Sequence, residues 1–132
     1  MKPILTIDRP MQVWLYSASH GLLLLRGQKV NDVDKRIDVL FRGVQAIETR
    51  MQNLECLSIV EVSISDLEMS QSKPQDLPES DLKAFLLNCE GWTGYVVAGS
   101  VEWIEDELAY WEPSSLNMSL DKSVARHLFI RD

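Results

Sequence analysis

Apolar and polar residues alternate at every second position in several short stretches of this chain. The segment 36–41 reads RIDVLF, and the segment 60–65 reads VEVSIS. Successive side chains of a β-strand point to opposite faces, so this alternation predicts half-buried strands. The valine, isoleucine and aromatic side chains in these stretches fit the pleated surface of a sheet.

Turn residues separate the alternating stretches at short intervals. The segment 19–21 reads SHG, and the segment 90–94 reads EGWTG and predicts a five-residue hairpin loop. Many short strands joined by such turns are typical of an antiparallel sandwich or a partly open barrel. The predicted strands are 3–8, 12–18, 21–26, 36–41, 44–49, 56–65, 83–89, 94–104 and 107–112.

Helical spacing competes with the strand pattern in two places. The segments 44–54 and 82–89 also place apolar residues three and four apart, so either structure remains open there. At the C-terminus, Leu120, Val124 and Leu128 recur every fourth residue behind Ser119, a possible N-cap. The sequence therefore predicts a mainly β fold with one C-terminal helix over 119–128.

The length of 132 residues fits a single domain spanning 1–132. Residues 67–81 contain two prolines and many polar side chains, which predicts an exposed, mobile loop within that domain.

Charge and hydropathy exclude several partners and settings. The net charge is −7, so binding to nucleic acid or to an anionic membrane surface is disfavoured. Apolar runs such as Leu22–Leu25 are far too short to span a bilayer, and the N-terminus lacks the apolar stretch of a signal peptide. We therefore expect a cytoplasmic protein in which Cys56 and Cys89 are reduced, inert core residues.

The negative charge is concentrated in one segment. From Ala84 to Asp121 there is no lysine or arginine but there are seven acids, and three of the four tryptophans lie there too. Trp103 shares strand parity with Tyr95 and Val97, so we assign it to the core. The candidate interaction surface consists of Trp92, Glu102, Glu105, Asp106, Glu107, Trp111 and Glu112.

No pattern of residues predicts catalysis, a metal site or a cofactor. Neither His20 nor His127 has ligands at metal-binding spacing, and Ser19 beside His20 is only a sequence neighbour. The acids at 105–107 fit a solvated turn better than a cation site. Strand-flanking Arg26, Arg36 and Arg42 fit either an anion pocket or, more simply, protection of sheet edges.

The sequence favours a small, non-enzymatic domain that binds a protein partner, possibly a basic one, through the acidic and aromatic segment. Three alternatives remain open at this point. One is a sandwich or barrel that holds a small apolar ligand between its sheets. Another is a bacterial immunity-type protein that masks a basic toxin by charge complementarity. The third is an enzyme of an unfamiliar type. An edge strand also leaves a homodimer open.

Overall fold

A computed structural model describes residues 2–27, 35–66 and 82–116 of the chain. The described residues form two antiparallel sheets and no closed barrel, which confirms the mainly β prediction. The predicted C-terminal helix over 119–128 and the predicted loop over 67–81 lie outside the described residues. The strands are β1 (Leu5–Thr6), β2 (Met11–Ser17), β3 (Leu22–Gly27), β4 (Arg36–Arg42), β5 (Ala46–Glu48), β6 (Ser58–Val62), β7 (Lys83–Cys89), β8 (Trp92–Ala98) and β9 (Ser100–Asp106).

The strands divide into a five-stranded sheet, in the order β1-β6-β7-β8-β5, and a four-stranded sheet, in the order β2-β3-β4-β9. The chain changes sheets three times, after β1, after β4 and at the short β8–β9 connection, so neither sheet is continuous in sequence. In the two segments that were open to either structure, β5 lies within 44–54 and β7 spans 83–89, so both contain strand.

The main core lies between the sheets and follows the predicted alternation. On β4, Ile37, Val39 and Phe41 point inward and are at most 5% exposed. Phe41 meets Phe85 of the opposite sheet with ring centroids 5.6 Å apart. Burial of this apolar surface is the dominant favourable term for holding the two sheets together.

The predicted strand 94–104 is two strands that belong to different sheets. The chain leaves β8 and enters β9 at Gly99, whose amide donates to the Arg42 carbonyl at 2.8 Å. Tyr95 therefore packs on the outer side of the five-stranded sheet, whereas Trp103 packs against the core between the sheets. Equal parity in sequence did not mean a shared face, because the backbone changes layers at the glycine.

Two further local predictions were wrong. The hairpin loop has only two residues, Glu90 and Gly91, because Cys89 pairs directly with Trp92. Gly91 has a φ of 90°, a conformation that favours glycine. Residues 107–112 do not form a strand and instead make turns outside the four-stranded sheet.

Candidate interaction surface

Buried ion pairs lie on the outer face of the four-stranded sheet, beside a small apolar cluster of Leu22, Leu24, Leu40 and Leu116. Arg26 on β3 lies directly opposite Asp38 on β4. The guanidinium donates from Nε to Asp38 Oδ1 at 2.7 Å and from Nη2 to Oδ2 at 3.0 Å. Both side chains are 0% exposed, so this is a two-point contact between charges removed from water.

Two more pairs extend this arrangement onto β9. Arg36 donates to both carboxylate oxygens of Asp106, at 2.7 and 3.4 Å, and Arg42 donates to Glu102 at 2.8 Å. Together with Arg26–Asp38, these pairs form what we call the ion-pair layer. The three arginines are buried, so they do not serve as edge charges. Carboxylates of this chain, rather than a free anion, bind their guanidinium groups.

A fourth pair lies at the margin of the same sheet. Arg9 donates to Glu105 at 2.6 Å, and the Glu105 side chain is 48% exposed. Three of the predicted surface acids, Glu102, Glu105 and Asp106, thus face arginines from earlier parts of the chain. Their charge is matched within the protein, and Glu102 is fully buried and does not reach the surface.

Arg26 and Arg36 also hold residues 107–116 against the sheet, and we call these residues the covering segment. Their guanidinium groups donate to backbone carbonyls at distances of 2.6 to 3.0 Å. Arg26 binds the carbonyls of Tyr110 and Glu112, and Arg36 binds those of Ala109, Glu112 and Pro113. These side-chain bonds replace a strand ladder, which explains the turns in this segment.

Acidic side chains within the covering segment and just before it stabilise its turns. Asp106 accepts from the Leu108 amide at 3.1 Å and from the Ser115 hydroxyl at 2.7 Å. Glu112 accepts from the Ala109 amide at 3.1 Å. Asp106 and Glu112 therefore have structural partners, and the Glu107 side chain is exposed.

The covering segment crosses the sheet from β9 to the β2 edge. There the Tyr110 ring meets Trp14 edge-on, with centroids 4.9 Å apart, and its hydroxyl accepts from Gln12. Burial raises the pKa of Tyr110 despite the nearby charge of Arg26 and the bond from Gln12. The Arg26 guanidinium lies 4.7 Å from the centre of the Trp14 ring, so the tryptophan covers one end of the ion-pair layer.

Large exposed hydrophobic side chains cluster at this same edge. Among the described residues there are five, which we call the β2-edge patch: Trp14, Leu15, Tyr16, Met51 and Trp111. Three lie on β2 itself, Trp111 follows Tyr110 in sequence, and the Met51 carbonyl accepts from the Val13 amide at 2.8 Å. The most exposed member is Trp111, at 78%.

Sequence reasoning found only Trp111 of this patch. A bulge between Val13 and Leu15 interrupts the pairing with β3, so the alternation of β2 does not report which side chains are buried. One signal was present, however: β2 reads MQVWLYS and has no charged residue or proline. Edge strands commonly carry such residues as protection against pairing.

An open polar cleft of about 110 Å³ adjoins the patch. It lies between the start of β2, the 52–53 turn and the covering segment. Its lining residues are Pro10, Met11, Gln12, Gln52, Asn53 and Tyr110.

Trp92 lies on the other sheet and is half-buried. Its ring packs against the main core, and the Arg50 guanidinium lies 5.2 Å from the ring centre. Gly94 leaves room for this ring, since a Cβ there would lie 2.6 Å from a ring atom of Trp92. The structure therefore does not bring Trp92 together with Trp111.

Two acids on β9 have pKa values shifted in opposite directions. Burial raises the pKa of Glu102 and outweighs the hydrogen bond and charge of Arg42. Burial also acts on Asp106, but hydrogen bonds from Ser115, Arg36 and the Leu108 amide outweigh it, and the net effect lowers the pKa. The difference arises because Glu102 Oε2 is buried without a hydrogen-bond partner among the described residues.

Two serine hydroxyls flank His20 in the turn between β2 and β3. His20 Nδ1 lies 3.0 Å from the Ser17 hydroxyl and 3.2 Å from that of Ser19, in an exposed turn. Cys56 is exposed, which corrects its assignment to the core. Within 2–27, 35–66 and 82–116, no three His, Cys, Asp or Glu side chains are grouped as metal ligands, and no helix has the length and apolar character needed to cross a membrane.

Comparison with known proteins gives no family for this chain. No family model matches it, and neither a curated protein nor a solved structure matches it.

Proposed function

We propose that this domain is a non-enzymatic protein-binding module and that the β2-edge patch binds an extended, uncharged segment of a partner protein. The observation that carries the proposal is the position of the five large hydrophobic side chains that are exposed among the described residues: three are consecutive on β2, and Met51 and Trp111 belong to segments that contact β2. Exposed apolar side chains scattered singly are ordinary, whereas a contiguous group is typical of an interaction site.

The backbone at this edge supports an extended partner. On the side of β2 away from β3, the Met11 and Val13 amides donate to Leu54 and Met51. Beyond Val13, no described residue supplies a strand partner on that side, so the half of β2 that carries Trp14, Leu15 and Tyr16 is available. A peptide that adds a strand to such an edge gains main-chain hydrogen bonds and places its side chains against neighbouring pockets.

The charges favour an uncharged partner over the basic one expected from the sequence. Arginines pair with Glu102, Glu105 and Asp106, so these acids do not project an unmatched negative field toward a partner. Strand β2 itself is neutral. Aromatic side chains such as Trp111 and Tyr16 supply large contact area at low entropic cost, and they often dominate binding energy.

The binding test is selection of random, unstructured twelve-residue peptides on the immobilised protein. We expect enrichment of uncharged peptides with alternating aromatic and β-branched residues, and binding that changes little between low and high salt. Replacing both Tyr16 and Trp111 by Ala is expected to weaken the selected peptides at least about 100-fold, since anchor residues each contribute roughly 2 kcal/mol or more.

The matched control is Thr93→Ala, an exposed position on the five-stranded sheet, which should leave peptide affinity unchanged. Circular dichroism should show that all variants are folded. Equal enrichment on the wild type and on the doubly substituted protein would refute the proposal. Enrichment of lysine-rich peptides with strong salt dependence would instead restore the acidic-surface hypothesis. A sedimentation coefficient that increases with protein concentration would identify a second copy of the chain as the occupant, provided that the double substitution abolishes this dependence.

A further inference from the structure

The two cysteines of the chain lie near the paired ends of β6 and β7: Cys89 is the last residue of β7, and Cys56 comes two residues before β6. The ladder between β6 and β7 pairs Ser58 with Asn88, so the next step along it places Leu57 opposite Cys89. Just beyond, the Glu90 amide donates to the Glu55 carbonyl at 3.1 Å. From the Glu55–Glu90 pair, one residue forward on the first segment and one residue back on the second place Cys56 opposite Cys89.

Both Cys56 and Leu57 therefore oppose the single residue Cys89. Two residues facing one is the definition of a β-bulge, and the first residue of such a bulge can adopt the left-handed conformation. Cys56 has a φ of 56°, in agreement with this assignment.

The spacing of opposed strand residues suits a disulfide. Facing residues of an antiparallel pair have Cα atoms about 4.5–5.5 Å apart. Disulfides accept Cα separations of about 4.4–6.8 Å. We propose that Cys56 and Cys89 form a reversible disulfide when the protein meets a small-molecule disulfide such as oxidised glutathione.

The accessibility of the two thiols sets the order of steps. Cys56 is exposed, whereas Cys89 is half-buried against the main core. The Cys56 thiolate attacks the glutathione disulfide, forms a mixed disulfide and releases one glutathione thiolate. The Cys89 thiolate then attacks the Cys56 sulfur and releases the second glutathione, so two protein thiols are oxidised and one glutathione disulfide is reduced.

Burial of the Cys89 thiol slows the second step. Burial raises the pKa of Cys89 to about 11, opposed by the charge of Arg50 and assisted by the proximity of Cys56. The fraction of Cys89 present as thiolate therefore rises about tenfold for each pH unit between 7 and 10. The closure rate should follow the same dependence.

The test treats the reduced protein with oxidised glutathione and follows intact mass and peptide maps over time. The expected product is a monomer that has lost two hydrogen masses, with Cys56 and Cys89 in one cross-linked peptide pair, and it should revert to the thiol form with a reducing agent. Closure should accelerate about tenfold per pH unit.

Two single substitutions separate the steps. Cys89→Ser should stop at a stable glutathione adduct on Cys56, and Cys56→Ser should react far more slowly because Cys89 is half-buried. A wild-type protein that stops at the same adduct as Cys89→Ser, or that cross-links only between molecules, would overturn the proposal. Neither outcome bears on peptide binding at the β2-edge patch, so the two proposals fail independently.

Discussion

The two faces of the four-stranded sheet are both buried, but they are built from different side chains. On the inner face β4 contributes Ile37, Val39 and Phe41, and on the outer face it contributes two arginines and Asp38 beside the buried Leu40. Apolar burial is non-directional, so many apolar combinations can fill the inner side. Buried charges must instead be matched individually, because an unpaired one carries a large desolvation cost.

The outer face is therefore the part of this fold that depends most on particular partners. It also holds the covering segment in place, since Arg26 and Arg36 each donate hydrogen bonds both to a carboxylate and to backbone carbonyls. The covering segment carries Trp111, so the ion-pair layer positions a member of the proposed binding surface.

The largest expected effect comes from breaking the central pair of the outer face. Asp38→Leu leaves the Arg26 guanidinium buried without a carboxylate and should lower the free energy of unfolding by about 3–5 kcal/mol. Phe41→Ala on the inner face should cost a similar amount, about 3–5 kcal/mol, through lost burial and a cavity. Urea denaturation at pH 7 measures both values.

A second variant distinguishes the two faces. Arg26→Met combined with Asp38→Leu removes both charges, and it should recover part of the loss because no unpaired charge remains. If Asp38→Leu alone costs less than about 1 kcal/mol, the range of surface pairs, then water reaches the pair and the contrast between the faces is lost.

The next largest effect is a difference between Glu102 and Asp106 of β9 in how their contributions to stability depend on pH. The pKa of Glu102 is raised in the folded protein, so its contribution to stability is present below its unfolded pKa and is lost as the pH rises through the folded value. The pKa of Asp106 is lowered, so its contribution is present above its unfolded pKa and is lost as the pH falls through the folded value.

Unfolding free energies between pH 3 and pH 8 test this difference. Relative to wild type, Glu102→Gln should remove a decline of stability toward neutral pH, and Asp106→Asn should remove a decline toward acid pH. The assignment fails if both substitutions change the pH profile in the same direction.

The smallest loss of unfolding free energy is expected for the Arg9–Glu105 pair at the exposed margin of the sheet. Glu105→Gln removes the carboxylate partner of Arg9, which also donates to the Lys35 carbonyl, but the Glu105 side chain is 48% exposed. Exposed ion pairs contribute about 0.2–1 kcal/mol, so the loss should fall in that range and shrink at high salt. A loss as large as that of Asp38→Leu would show that burial of the acid does not set the strength of these pairs.

Local patterns were sufficient for much of the fold. The alternation in 36–41 predicted β4, and the prediction of β7 over 83–89 has the observed bounds. The candidate site was less accessible, because pairing joins residues distant in sequence. Arg42 and Glu102 lie 60 residues apart, and no local pattern shows that one neutralises the other.

The sequence by itself determined that the chain forms antiparallel strands over an apolar interior, since period-two alternation dictates which side chains can share a face. Only the tertiary structure decided that the chain changes sheets at Gly99, that arginines of β3 and β4 pair with acids of β4 and β9, and that the aromatic side chains left in water gather beside β2. The physical reason is that alternation acts between neighbouring residues, whereas charge pairing and exposure depend on which strands become neighbours in space.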